Sequence, residues 1–441
     1  MVVTATTVVF TAFLAAIVAG ENCELNLQTQ TNSKKEPLIL DVSKTRDGRP
    51  SPHLVYPSVI KVDDKTYQGV IRVSDGKELM VACMGEDNQL EISQTETDYV
   101  KCSNGQLTIQ GQPADEDTLS CHKDVSRSWI EKTEEICGKG NSKGTKLELG
   151  FKLNDDEQNT LFPLVDVCHN IQKMESYYAH HELHGESLKG AVQSKLRRPF
   201  SEGPKKLHLF SGINADKAYS KSSQTIAIDA ILGKGEGKRY VNETVFLARG
   251  HLAPDADFIF NTGQQMTYYF INVAPQWQPF NAGNWLQVES TVRSLAVKVQ
   301  ASLKVWTGTY GVLKLENKRG EEKEIYLDPK EARKPKPQRK NSKPKPNEEP
   351  EDVDQGNYLP VPEVYWKLVQ HGESCTVAVG HNNVYLKTEP TPICNAIDVR
   401  GWPELKVLSK GYTYYCEYES FKKTVYYVPD IECTSPLEFP Q

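Results

Sequence analysis

Two hydrophobic rhythms divide the chain. From residue 21 to about 170, apolar residues come in short β-prone runs between turn residues: Tyr67–Val73, Leu79–Cys83 and Gln89–Ile92. The runs show no clean alternation, so they predict a β-rich module without assigning its faces. From about residue 175 the period lengthens. Asn214 to Leu232 carries Ala218, Ile226, Ile228, Ala230, Ile231 and Leu232 and stops at Gly233, which predicts a helix. Thr244–Leu247 and Thr267–Val273 predict two strands, the second stopped by Pro275. Trp285, Val288, Val292, Leu295 and Val299 then fall at helical spacing and form one buried stripe. Glu289 and Arg293 are four apart on another face of that helix. Strand, strand and helix make a ββα unit. Val364–Val369 and Val377–Leu386 are strand-like again. The fold class expected is α+β: an antiparallel sheet with flanking helices over 171–441, preceded by a β-rich module over 21–170.

Three features adjust this picture. Residues 1–20 read as a secretory signal: Thr7 to Val18 is mostly apolar, and Val18-Ala19-Gly20 offers small residues for cleavage. That run is too short for a membrane span, and no later one exists in the sequence, so no membrane partner is expected. The ten cysteines fit export and allow five disulfides; none falls between Cys168 and Cys375, so the middle should rely on a packed core. No CxxC pair suggests a zinc cluster. The third feature is Lys330 to Pro346, with eight basic residues and four prolines, inside an insertion over 329–352. That composition forbids a packed element. Lys334, Lys336, Arg339 and Lys340 make it either an electrostatic arm for nucleic acid or a solvated insertion. Much of the local charge comes from it: the net charge of −6 divides into −8 over 21–160, +8 over 161–350 and −6 over 351–441.

The candidate chemistry sits in the basic third. Arg249-Gly250-His251-Leu252-Ala253-Pro254 follows the first predicted strand, and Asn281 and Glu289 stand at the start of the long helix. Hydrolysing a phosphodiester needs a base for water, positive charge at the phosphate and help for the leaving oxygen. His251 is suited to the first task. Arg249 and Arg293 bring guanidinium charge. Asn281 offers a carbonyl ligand to a hard, well-hydrated cation such as Mg²⁺, and Glu289 either holds a metal-bound water or orients Arg293. Each residue alone has a blander reading: His251 as a structural hydrogen-bonder, Gly250 as a turn glycine, Asn281 as a helix cap.

Together with Asn272-Val273-Ala274-Pro275-Gln276, Phe280-Asn281, Trp285 and Glu289, the Arg-Gly-His stretch resembles the DNA/RNA non-specific endonucleases of the Serratia nuclease type. Asp216-Lys217-Ala218-Tyr219-Ser220, Val305 to Gly311 and Pro362 to Lys367 are similar to the insect secreted branch, its double-stranded ribonucleases and salivary nucleases. The resemblance implies a His-Me finger (ββα-metal) core and one Mg²⁺ ion, with Mn²⁺ as a substitute. It implies His251 as general base, Asn281 as the protein ligand to the ion, Glu289 on its waters, and Arg249 and Arg293 near the scissile phosphate of DNA or RNA. One departure stands out. The bacterial pattern has Asp before Arg-Gly-His, where this chain has Ala248, so a supporting charge is missing. The alternative implied is a salivary nucleic-acid binder with little cleavage, as in the tsetse salivary proteins.

Other features are weaker. His180, His181 and His184 lack the zinc-protease spacing; they read as a polar helix face or a phosphate-contacting surface, with His180 and His184 able to share a metal only if helical. Arg197-Arg198 and Lys205-Lys206 are candidate backbone contacts or solvated surface. Asn242-Glu243-Thr244 is a glycosylation sequon nine residues before His251.

Overall fold

The computed structural model describes residues 21–27, 35–192, 197–328 and 359–440, apart from short breaks at 44, 47–48, 51, 86, 116, 124, 126–128 and 156–157. The expected signal at 1–20 and the basic residues Lys334, Lys336, Arg339 and Lys340 lie outside the described residues.

An antiparallel sheet dominates. Its strands are β1 (Trp129–Cys137), β2 (Gly144–Asp155), β3 (Gln158–Asn170), β4 (Glu175–His184), then β7 (Ser302–Val312), β8 (Pro362–His371), β9 (Ser374–His381) and β10 (Thr413–Cys416), paired in that order. The sheet runs unbroken across residue 170, where the sequence suggested a boundary; β3 and β4 pair from Val165–His181 to Asn170–Glu175. Ahead of it, a three-stranded and a six-stranded sheet form the β-rich part. Tyr67–Val73 is a strand as expected and Glu78–Ala82 covers most of the second run, but Gln89–Ile92 is not a strand; only Leu90 bridges to Cys121. All ten cysteines pair, as Cys23–Cys102, Cys83–Cys121, Cys137–Cys168, Cys375–Cys433 and Cys394–Cys416. The cysteine-free middle is held instead by Trp277, Phe280, Trp285, Tyr365 and Trp366, all fully buried.

The expected helix over Asn214–Leu232 is two helices. Asn214 caps Ala215–Ala218, and the Ser220 hydroxyl accepts from Ser223 N–H to start α1 (Lys221–Leu232). A side chain that satisfies a backbone donor starts a new helix more readily than it continues an old one. The two strands of the ββα unit are displaced. Asn242 accepts from the Thr244 and Val245 N–H groups, folding 242–245 into a turn, so β5 is Leu247–His251. Most of Thr267–Val273 is not strand. A short helix, Asn261–Met266, and a 3₁₀ turn at Phe270–Asn272 precede β6 (Val273–Trp277), which passes through Pro275 instead of stopping there. Pro275 is tolerated because β5 and β6 form a two-stranded ribbon, so the proline needs no ladder donor on its outer side. Its carbonyl accepts from Asn382 Nδ2 at 3.0 Å. Gly250 is no turn glycine. It lies in β5, and a Cβ there would stand 2.4 Å from Gln276 Oε1 and 2.9 Å from the Tyr365 hydroxyl.

The long helix α2 (Leu286–Val299) buries Val288, Val292, Leu295 and Ala296, close to the expected stripe. A widened turn, Asn281–Trp285, leads into it; Gly283 leaves helical geometry (φ −107°, ψ −116°) where a Cβ would press within 2.9 Å of Lys410. Trp285 is locked against Phe280 and Tyr365, with ring centroids 5.5 and 5.6 Å apart.

The N-terminal part docks beside the ribbon. Tyr56 stacks on His184 at 3.6 Å, the Ser187 hydroxyl donates to the Pro57 carbonyl at 2.6 Å, and buried Glu36 accepts from the Asn261 N–H at 2.9 Å. Glu36 Oε1 is buried with no partner among the described residues, and burial pushes the carboxyl from 4.5 up to about 7, against the backbone hydrogen bonds from Asn261 and Thr262. The folded state therefore holds this proton more tightly than the unfolded chain. The stability it confers is full below about pH 4.5 and is lost as pH rises through about 7. Glu36→Gln mimics the neutral acid at every pH. Its melting temperature should match the parent at about pH 4 and exceed it at about pH 8; equal temperatures at both would contradict the buried-acid account.

Candidate active site

A cleft of about 600 Å³ opens between the β5–β6 ribbon and the start of α2. Arg249, His251, Asn281 and Glu289 all line it, so four of the expected site residues meet there. The backbone around them is held in several ways. Asn272 Oδ1 accepts from Ala253 N–H at 3.0 Å while its Nδ2 donates to the Ala253 carbonyl at 2.9 Å, pinning the chain just after His251. Tyr365 donates its hydroxyl hydrogen to the Ala274 carbonyl at 2.7 Å, tying β6 to β8. Asn284 Nδ2 reaches the Leu405 and Gly411 carbonyls at 2.8 and 2.6 Å, anchoring the turn that carries Asn281. The Asn281 N–H closes the preceding turn onto the Gln278 carbonyl, and the residue lines the cleft.

His251 ends β5 opposite Val273, with the rings of Phe200 and Tyr268 both 5.4 Å away. Its Nε2 is buried and has no hydrogen-bond partner among the described residues. Burial lowers the imidazole from 6.5 to about 4; Asp255 opposes that shift and Arg197 adds to it. The ring is thus neutral near pH 7, with a lone pair or proton to offer. Asp255 also accepts the Tyr268 hydroxyl at 2.7 Å. Glu289 is half-buried at the other side of the cleft. Burial pushes its carboxyl up to about 7, against Lys367 and Arg293.

Arg249 is cradled by rings: its guanidinium carbon lies 5.3 Å from Phe200, 5.3 Å from Tyr219 and 5.5 Å from Phe270. Its Nη2 meets Asp216 Oδ1 at 2.7 Å. The carboxylate that Ala248 seemed to remove is therefore supplied from thirty-three residues earlier.

Arg293 is not among the residues lining the cleft. It lies behind Glu289, donating Nη1 to Asp257 Oδ1 at 2.9 Å, with Nη2 reaching Ser290 Oγ at 3.4 Å. Asp257 is buried and also bonds His181 Nε2 at 2.9 Å. Burial alone would raise its carboxyl, but His181, Arg293 and Lys367 hold it down at about 2. Lys367 is fully buried, donates to Thr307 Oγ1 and has its ammonium 5.8 Å from the Trp285 ring. Burial lowers its pKa, against Glu289 and Asp257.

Sequence reasoning missed this buried group. His181, expected on a polar helix face or a phosphate-contacting surface, is buried in strand β4 (175–184). His180 and His184 are then about 13 Å apart along the strand, too far to share a metal. His180 faces Asp166 and Trp306, while His184 bonds Ser302. Asp255 and Asp257 carry the one usable signal, their place four and six residues after His251. Asp216 and Lys367 stood in quoted motifs without a role. Of the other candidates, Arg197 and Arg198 line the cleft. Lys205 and Lys206 do not; the Lys206 ammonium sits 5.1 Å from the Trp129 ring. Asn242 is exposed and outside the cleft lining.

A family model describing DNA/RNA non-specific endonucleases matches residues 142–421, which include the whole ribbon, α2 and most of the sheet. The chain belongs to that endonuclease family. A protein named salivary endonuclease, from Lutzomyia longipalpis, is 29% identical over 414 residues, covering 92% of this chain and 83% of its own. Salivary proteins Tsal2A and Tsal1 from Glossina morsitans morsitans are 24% and 25% identical over 97% and 98% of both chains. Among solved structures, the EndoG/EndoGI complex matches 63% of this chain and 89% of the solved chain at 14% identity; its TM-score of 0.34 carries no argument. The α+β architecture agrees with this family match.

The buried Asp257 makes a stability prediction. Asp257→Asn leaves Arg293 without its counter-charge in a largely buried place. Breaking such a pair costs about 3–5 kcal/mol, to be read by urea unfolding. A loss under about 1 kcal/mol would contradict the arrangement.

Proposed function

We propose that the chain is a secreted, Mg²⁺-dependent endonuclease that hydrolyses phosphodiester bonds of DNA, RNA or both. The observation that carries this is the buried, unpartnered Nε2 of His251, neutral near pH 7, in one cleft with Asn281, Glu289 and Arg249. The donor set fits a hydrated hard cation: one amide oxygen and one carboxylate. Among the described residues there is no group of three or more His, Cys, Asp or Glu able to hold a metal tightly. Such a site suits Mg²⁺, which keeps several waters. Asn281, with Glu289 acting through water, would hold the ion, and the chemistry it would supply is charge stabilisation on the phosphate and the leaving oxygen. Manganese would substitute.

The chain's own residues do the remaining work. His251 Nε2 takes a proton from the attacking water as its oxygen bonds to phosphorus, while the P–O bond to the leaving sugar oxygen breaks and that oxygen takes a proton from solvent water. Arg249 donates to a phosphate oxygen from a guanidinium nitrogen other than the Nη2 that Asp216 holds, and the three rings keep the group in place. Arg197 and Arg198 add positive charge along the rim. Arg293 acts from behind, keeping Asp257, α2 and Glu289 in register. Contacts of this kind read backbone, not sequence, so affinity should fall as salt rises. Export is supported by the five disulfides, which persist in oxidising compartments. No helix among the described residues is long and apolar enough to cross a membrane.

A second reading, a nucleic-acid binder with weak turnover, is favoured by one observation. Arg249 already holds a 2.7 Å ion pair with Asp216 through Nη2, which offsets part of the charge it brings to a phosphate. His251→Ala separates the two. Under the nuclease reading it lowers turnover by roughly 10²–10⁴-fold with little change in binding. If the parent and His251→Ala cleave equally, the assignment of the base is wrong; if neither cleaves yet both bind, the second reading holds.

A further inference from the structure

A second cleft of about 580 Å³ adjoins the first. The two share Arg198, Pro199, Phe200, Asp216 and Tyr268, so they lie side by side. Their chemistry differs. The first cleft sets three arginines, Arg197, Arg198 and Arg249, against three carboxylates, Asp216, Asp255 and Glu289. The second holds Arg198 as its one arginine, with two carboxylates, Asp216 and Glu202, and the side chains of Asn214 and Gln265. A phosphate, which needs positive charge, is poorly served there.

Its apolar walls are rings. Phe200 lies 5.0 Å from Tyr268 and 5.6 Å from Phe270, centroid to centroid, and half-buried Tyr269 completes the lining. The floor is fixed by backbone pairing: Ser201 N–H donates to the Tyr268 carbonyl at 3.0 Å, and Phe270 N–H to the Ser201 carbonyl at 2.9 Å. Glu202 is fixed too, its Oε1 accepting from Ala215 N–H at 2.8 Å. The half-buried rings of Phe200 and Tyr269, beside the Asp216 and Glu202 carboxylates, suit a nucleobase: the face stacks, and the amino or imino edge donates. In a duplex both features are used already, so such a base must be unpaired.

From this we infer that the second cleft is a subsite for one unpaired nucleobase, the neighbour of the nucleotide whose phosphate occupies the His251 cleft. The inference rests on the proposed nucleic-acid function and deepens it: the substrate class is single-stranded nucleic acid, or a strand locally opened from its duplex. The carboxylates favour bases that carry an amino group.

The test is binding of the full chain in EDTA, which removes cleavage from the readout. The probes are a short oligodeoxyadenylate and an oligomer of the same length in which every base is missing, equal in phosphate charge, each followed by fluorescence anisotropy. The parent should bind the adenylate about tenfold more tightly, within the range of base–aromatic stacking. Tyr269→Leu keeps apolar bulk without a ring face; it should remove most of that preference while leaving affinity for the abasic oligomer unchanged. Equal affinity of the parent for both probes overturns the inference and leaves backbone binding intact. So does a Tyr269→Leu protein weakened equally on both. If neither probe binds the parent, the nucleic-acid reading itself falls, and the inference with it.

Discussion

One buried carboxylate organises the catalytic half. Asp257 accepts from His181 on the sheet and from Arg293 on α2, and it lies six residues after His251 on the loop between. Three separate pieces of chain therefore meet at one charge. Removed from water, that charge is stable only because its partners are fixed. Their fixing sets the distance between the ribbon that carries His251 and the helix that carries Glu289. Lys367 and the Trp285 cluster close the space beneath, so the polar group cannot relax by admitting solvent.

Short-range features of this design were legible in the sequence, and long-range ones were not. The stripe from Trp285 to Leu295 placed α2 because helical period is a local property. Arg249, His251, Asn281 and Glu289 meet in one cleft because motif and helix together bracket a ββα unit. Arg293 shows the limit. Spacing told which face of α2 it occupies, but not that a buried aspartate waits across that face. His181 was hidden for the same reason: its partner is 76 residues away, and a run of polar residues in a strand looks like a polar helix. The strand positions slipped where side chains override propensity. Asn242 folds Thr244 and Val245 into a turn, and the ribbon tolerates Pro275 because its outer edge needs no ladder donor.

The apparent gap at Ala248 has a similar lesson. A missing neighbour in sequence is replaced by a neighbour in space, Asp216, held on the helix that Asn214 caps. The replacement is not neutral chemistry. A carboxylate on an exposed one-turn helix, holding one nitrogen of a guanidinium inside a ring cage, orients the arginine and offsets part of its charge.

The central claim is that this cleft hydrolyses phosphodiesters and does more than bind them. It is tested most directly by following cleavage and binding of DNA and RNA in parallel, with Mg²⁺ and with EDTA, on the unaltered protein. The account predicts binding in both conditions, strand cleavage with Mg²⁺, and none with EDTA. Tight binding with no cleavage at any Mg²⁺ concentration would contradict it.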